Sequence, residues 1–128
     1  MIAFIVIAMS LSGCDLLTTK YVDASEEAGV REIVSTSRTT TTELLLLGID
    51  SYPSQKRIEY YVLVPVPGFD GPEVLSRALL PQGAGLYFTG AQRCINCSPE
   101  SMRLSVKVGG FERGQPIYID MNSMGLLE

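Results

Sequence analysis

From Gly29 onward the apolar and polar positions of this chain follow mostly the period of strands. Val30, Glu32, Val34 and Thr36 share one parity against Arg31, Ile33 and Ser35, an imperfect alternation rich in β-branched residues. A hydroxyl-rich tract over residues 35–42 separates this run from residues 43–49, where four consecutive leucines end at Gly48. Threonine favours strands, so the tract reads as a long hairpin continuing both runs, with a flexible surface loop as the alternative. Residues 50–55 form a turn by composition. Residues 58–64 are aromatic and β-branched, the clearest strand and long enough to be central; Pro65 and Pro67 stop it or place its far end at a sheet edge, since proline cannot donate to a ladder.

Beyond Gly71 the pattern changes. Val74, Leu75, Ala78 and Leu79 fall at helical spacing and Pro72 suits a first helical position, so residues 73–80 are expected to form one short helix, closed by Pro81 and Gly83. Strands resume over residues 85–89, over 103–108 with Leu104, Val106 and Val108 on one face, and over 116–121. Gly109-Gly110 is expected as a hairpin turn. Five to seven short strands and one short helix, without an internal repeat, point to an all-β, mainly antiparallel fold. A small β-sandwich or barrel is the expected architecture.

Residues 1–9 are a short apolar run followed by small residues. A bilayer-spanning helix needs about 20 apolar residues, whereas this length suits the hydrophobic region of a secretory signal. The sequence Leu11-Ser12-Gly13-Cys14 follows and resembles the lipobox of bacterial lipoproteins. The resemblance implies a signal peptide over residues 1–13, cleavage before Cys14 and lipid on the Cys14 thiol. Two or three acyl chains, at about 0.8 kcal/mol per buried methylene, would hold the chain stably on a membrane. No Lys or Arg precedes the apolar run, which points to a start further upstream or a weak signal. Asp15 is similar to the residue that favours inner-membrane retention in enteric lipoproteins, with the outer membrane as the alternative. The domain organisation expected is therefore a signal peptide over 1–13, a lipidated tether over 14–28 and a β-rich domain over 29–128. A short helix within residues 24–28 is the other reading of the tether's end.

Composition narrows the chemistry. With 46% hydrophobic and 19% charged residues the chain is a folded domain, and 128 residues suffice for one core. A net charge of −4 with no basic cluster disfavours nucleic-acid binding. Histidine is absent, which excludes Ser-His and Cys-His nucleophile pairs and removes the commonest nitrogen ligand for metals. No cofactor, metal site or catalytic residue is expected. The carboxylates Asp50, Glu59, Asp70, Glu73, Glu100, Glu112 and Asp120 are scattered, and Gly83-Ala84-Gly85 is a turn that lacks the lysine of a phosphate loop.

Cys94 and Cys97 remain once Cys14 is taken by lipid. In an oxidising compartment an even pair at this spacing reads as a disulfide stiffening a local turn. Thiol–disulfide exchange at Cys94/Cys97 is the alternative, although neither a helix nor a βαβ pattern surrounds the pair. The expected function is that of a membrane-anchored envelope lipoprotein facing the periplasm. It would act through contacts with a protein partner, as an accessory part of an envelope or secretion assembly, or as an inhibitor or immunity protein.

Overall fold

The computed structural model describes residues 19–51 and 55–128. The expected signal peptide, the lipobox and Cys14 lie outside the described residues. Eight strands follow one another: β1 (Tyr21–Asp23), β2 (Ser37–Thr39), β3 (Leu44–Ile49), β4 (Tyr60–Pro65), β5 (Val74–Leu80), β6 (Gly85–Cys94), β7 (Ser101–Val108) and β8 (Ile117–Asp120). A 3-10 helix over Met121–Leu126 comes last, its first turn capped by the Asp120 carboxylate, which accepts the Asn122 N–H at 2.8 Å. The strands form one sheet in the order β1-β6-β7-β8-β4-β3-β5, with β2 also on β6. Every pairing is antiparallel except that of β4 with β8. The chain is thus all-β and mainly antiparallel.

The alternation of the sequence places the core. Leu44 and Leu46 of β3, Tyr61 and Leu63 of β4, Leu86 and Phe88 of β6, Leu104, Val106 and Val108 of β7, and Ile117 and Ile119 of β8 all enter one cluster. A single sheet whose distant strands share one cluster must curl around it. Strand β3 is also buried on its other face, where Leu47 and Ile49 lie under 5% exposed. A side chain at Gly48 would meet Ser76 Oγ and, at 2.7 Å, Ile58 Cδ1, so either side chain would have to shift where these elements close over β3.

Strand β6 organises the other half. Its register with β7 shifts between Phe88 and Gly90, a bulge that turns the inward parity from Leu86 and Phe88 to Ala91. Its outer edge is taken by one interrupted strand. Residues Tyr21–Asp23 pair along Gln92, Arg93 and Cys94, and Ser37–Thr39 pair along Gly85, Leu86 and Tyr87. Between them the chain leaves at the bulge and returns to it. The Ala24 N–H donates to the Ala91 carbonyl at 2.9 Å, the Ala91 N–H donates to Ser25 Oγ at 3.0 Å, and the Ser35 and Phe88 amides bond to the Phe88 and Thr36 carbonyls. The excursion over residues 25–35 is a series of tight turns that carries Val30 and Ile33 into the core.

Four expectations are corrected here. The alternation over residues 30–36 is not a strand, because Gly29 (φ 82°) and Ser35 (φ 70°) fold that stretch into turns. The threonine tract does not join β2 to β3 as a hairpin; its two ends serve different parts of the sheet. Residues 73–80 are not helical but form β5, paired along β3 from Leu44↔Leu80 to Gly48↔Ser76, and the described helix lies instead at Met121–Leu126. The described part of the expected tether, residues 19–28, is folded into the domain, with β1 paired and Ala24 2% exposed.

Thr40 closes the curl. It is 2% exposed, its hydroxyl donates to the Pro81 carbonyl and accepts the Ala84 N–H, each at 3.0 Å, and its backbone bonds Ala84 and Gly83. Residues 39–41 also pair with Leu126 and Glu128, which covers the outer side of β2. Replacing Thr40 by valine keeps the shape and removes the hydroxyl that bonds the part-buried Pro81 carbonyl and Ala84 amide. The expected loss is about 1 kcal/mol in urea unfolding, with Thr40→Ser much closer to the parent.

Two carboxylates hold the excursion. The Ser25 hydroxyl and amide bond Asp23 and keep its carboxyl below the usual aspartate range, and Arg93 does the same for Glu27 through a two-pronged ion pair. A pKa lowered by folding stabilises fully above the ordinary carboxylate range of about 4 and is lost as pH falls through the lowered value. Protection of the Ser25, Val30 and Ile33 amides, taken relative to intrinsic exchange at each pH, is therefore expected to fall on acidification through that window before protection in β7 does. Simultaneous loss of protection in both regions would show that these contacts do not hold the excursion.

Candidate functional site

The sulfurs of Cys94 and Cys97 are bonded, with Cα atoms 5.6 Å apart. Cys94 ends β6 opposite Tyr21 of β1 and Ser101 of β7 and is fully buried, whereas Cys97 is half-buried. The stapled turn grips the incoming chain. The Lys20 N–H donates to Asn96 Oδ1 at 2.8 Å, and the Ile95 N–H donates to the Lys20 carbonyl at 3.0 Å. Its local effect is to fix where the chain enters β1.

One residue further on, Tyr21 reaches the outer face of the sheet. Outward parity on β7, β8 and β4 presents Arg103, Tyr118 and Tyr60, while inward parity sends Leu104, Ile119 and Tyr61 to the core. The Arg103 guanidinium lies between two rings, 3.6 Å from the centre of Tyr21 and 3.7 Å from that of Tyr118, with Tyr60 at 5.8 Å. Its Nε donates to Gln92 Oε1 at 2.9 Å, Gln92 being the cross-strand partner of Arg103. Tyr60 meets Tyr118 edge to face, centroids 5.9 Å apart. Burial pushes the Tyr60 hydroxyl above the usual tyrosine value, against the opposing pull of Arg103.

These groups border a groove of about 400 Å³ that runs over Val62 and Val64 to Phe69 and Glu73. Its floor is apolar; Arg103 and its cross-strand partner Asp120 stand at one end and Glu73 at the other. Phe69, 42% exposed, extends the apolar rim. A larger hollow of about 570 Å³ lies beneath residues 111–117, but its aromatic ring, Phe111, is spent on the core through Tyr61, 5.0 Å away. The stacked arginine with three tyrosines makes the groove the better candidate, since Tyr and Arg are the residues that dominate binding energy at protein interfaces.

The remaining sequence candidates stay apart. Asp50 is fully buried and accepts the Arg57 N–H at 3.0 Å, holding the loop between β3 and β4; Asp70 pairs with Arg77 at 2.7 Å and Glu100 lies 3.7 Å from Arg93. Among the described residues no group of three His, Cys, Asp or Glu side chains is placed to hold a metal, and no helix is long and apolar enough to cross a membrane. Comparison with protein-family models, curated proteins and solved structures yields no match to this chain. Fold and site alone define the class, a small all-β domain with a stapled entry and an aromatic outer face.

Replacing both Cys94 and Cys97 by alanine opens a four-residue loop, which chain entropy values at about 2 kcal/mol. The loss is expected to be local. Amide exchange at Lys20, Val22 and Ala24 should accelerate strongly while Leu104 and Ile119 stay protected, and uniform acceleration would contradict a local staple.

Proposed function

We propose that this chain is an envelope lipoprotein, anchored through lipid on Cys14, whose β domain works by binding a protein partner along the Tyr21–Tyr60–Tyr118 groove. The observation that carries the partner-binding half is Arg103, its guanidinium within 3.7 Å of the ring centres of both Tyr21 and Tyr118 at the mouth of an apolar groove. A guanidinium against two rings keeps its N–H groups for hydrogen bonding, and the rings beside it supply rigid contact area at small entropic cost. The anchoring half rests on the lipobox resemblance. It is supported by the disulfide, which suits an oxidising compartment. Thiol exchange is the less favoured chemistry, because attack would be confined to the half-buried Cys97 with Cys94 sealed behind it.

The two halves are tested separately. Intact mass of the protein purified from membranes is expected to show a chain beginning at Cys14 with added acyl mass, and Cys14→Ala is expected to leave the membrane fraction. A full-length unlipidated chain refutes the anchor. For the groove, a photo-crosslinker placed at Tyr60 in cells is expected to give a discrete adduct that Arg103→Ala diminishes by about tenfold or more, while the same probe at the exposed Lys107 gives none. Equal adducts at both positions, or an adduct indifferent to Arg103, refutes the groove.

A further inference from the structure

The two ends of the sheet are treated differently. At the β6 end the outer strands are only three residues long, and β2 is covered in turn by the pairing of residues 39–41 with Leu126 and Glu128. Short and covered strands are how sheet edges avoid unwanted pairing. At the other end β5 runs for seven residues, and no described strand other than β3 pairs with it. It contains neither proline nor lysine, and Leu79 is the most exposed of the large apolar side chains at 58%. Its one charge does not guard the edge. Arg77 is turned back onto the loop before β5, where it donates to the Phe69 and Pro67 carbonyls at 2.8 Å and to Asp70 at 2.7 Å.

The order of residues along β5 says what fits there. Val-Leu-Ser-Arg-Ala-Leu-Leu reads the same by class in both directions: two aliphatic residues, a small one, arginine, a small one, two aliphatic residues. We propose that β5 is a self-pairing edge through which two copies of this chain join antiparallel about a two-fold axis at Arg77. A two-fold contact requires a surface complementary to itself, and such a strand is complementary to itself when reversed. Ser76 then faces Ala78 of the second copy, and Leu79 faces Leu75, the residue at which the β3–β5 register shifts. The pair at the axis is arginine against arginine, which would repel if both were free. Asp70 neutralises each, and the side chains are already directed away to residues 67–70. The inference is independent of the lipid anchor and of the groove.

Sedimentation of the full chain in mild detergent is expected to show a monomer–dimer equilibrium. Leu79→Lys, which places a charge on an already exposed position, is expected to weaken it by about tenfold or more with the urea midpoint unchanged. Register is read by oxidative crosslinking. Chains carrying Ser76→Cys are expected to crosslink to chains carrying Ala78→Cys when the two are mixed, because directly opposed Cα atoms lie within about 5.5 Å of each other. Either chain alone offsets its cysteines by two residues, beyond disulfide reach, and is expected to crosslink no more than the parent. A chain that stays monomeric, a dimer indifferent to Leu79→Lys, or crosslinking that does not require mixing overturns the proposal. In the second and third cases β5 is open to some other occupant or register.

Discussion

The bulge in β6 between Phe88 and Gly90 is the constraint on which the rest of this structure depends. A regular β6 would offer its outer edge one continuous strand. The bulge instead lets the chain depart at Ala24 and return at Ser35, with its opened amide at Ala91 taken by Ser25. Two consequences follow. The departing segment brings Val30 and Ile33 over a core that a single curled sheet leaves open on one side. The strand before the departure is held in register with Gln92, and Gln92 is opposite Arg103, so Tyr21 is delivered to the guanidinium two strands away. Core closure and groove assembly thus share one local irregularity.

Where an element lies in the sheet governs how much of it was legible in the sequence. Strands β4, β7 and β8 have one face on the core and one outward, so Tyr61, Leu63, Leu104, Val106, Ile117 and Ile119 alternate with polar or half-buried positions. Strand β5 is an edge. With partial exposure on both faces it needs no alternation, and a bulge near Leu75 lets aliphatic residues sit in pairs that mimic helical spacing. Intrinsic spacing lost there to the availability of β3 as a partner. Strands β1 and β2 fail for another reason. Three residues are too few to show a period, and what makes them strands is the free edge of β6, which lies more than forty residues away in sequence.

The same division separates the two parts of the candidate site. The disulfide was legible because its information is local: two cysteines, a spacing and no competing ligands. The stacked arginine was not, because it is made by register between β1, β7, β8 and β4, and no one segment carries it. Tyr60 and Tyr61 could be assigned to opposite faces from adjacency alone. Arg103 and Tyr118 stood on outward positions of clear strands and were therefore visible as surface residues, though not as neighbours. Tyr21 carried no signal, since residues 14–28 read as a tether.

The stapled turn and the groove are adjacent along the chain, and their order has a physical consequence. Lys20 is bonded on both its backbone groups to residues 95 and 96, and Tyr21 follows immediately. On the proposed reading the chain before Lys20 leads to a lipid anchor and is subject to every movement of the domain relative to the membrane. A displacement arriving at Lys20 meets first a turn closed by a covalent bond and backed by the fully buried Cys94, and only then the strand that carries Tyr21. Without the staple, the first three ladder pairs of a three-residue edge strand would take that load, and such a strand frays readily. On that proposed reading the disulfide sits where it would keep tether motion away from Arg103, a local task suited to so short a loop.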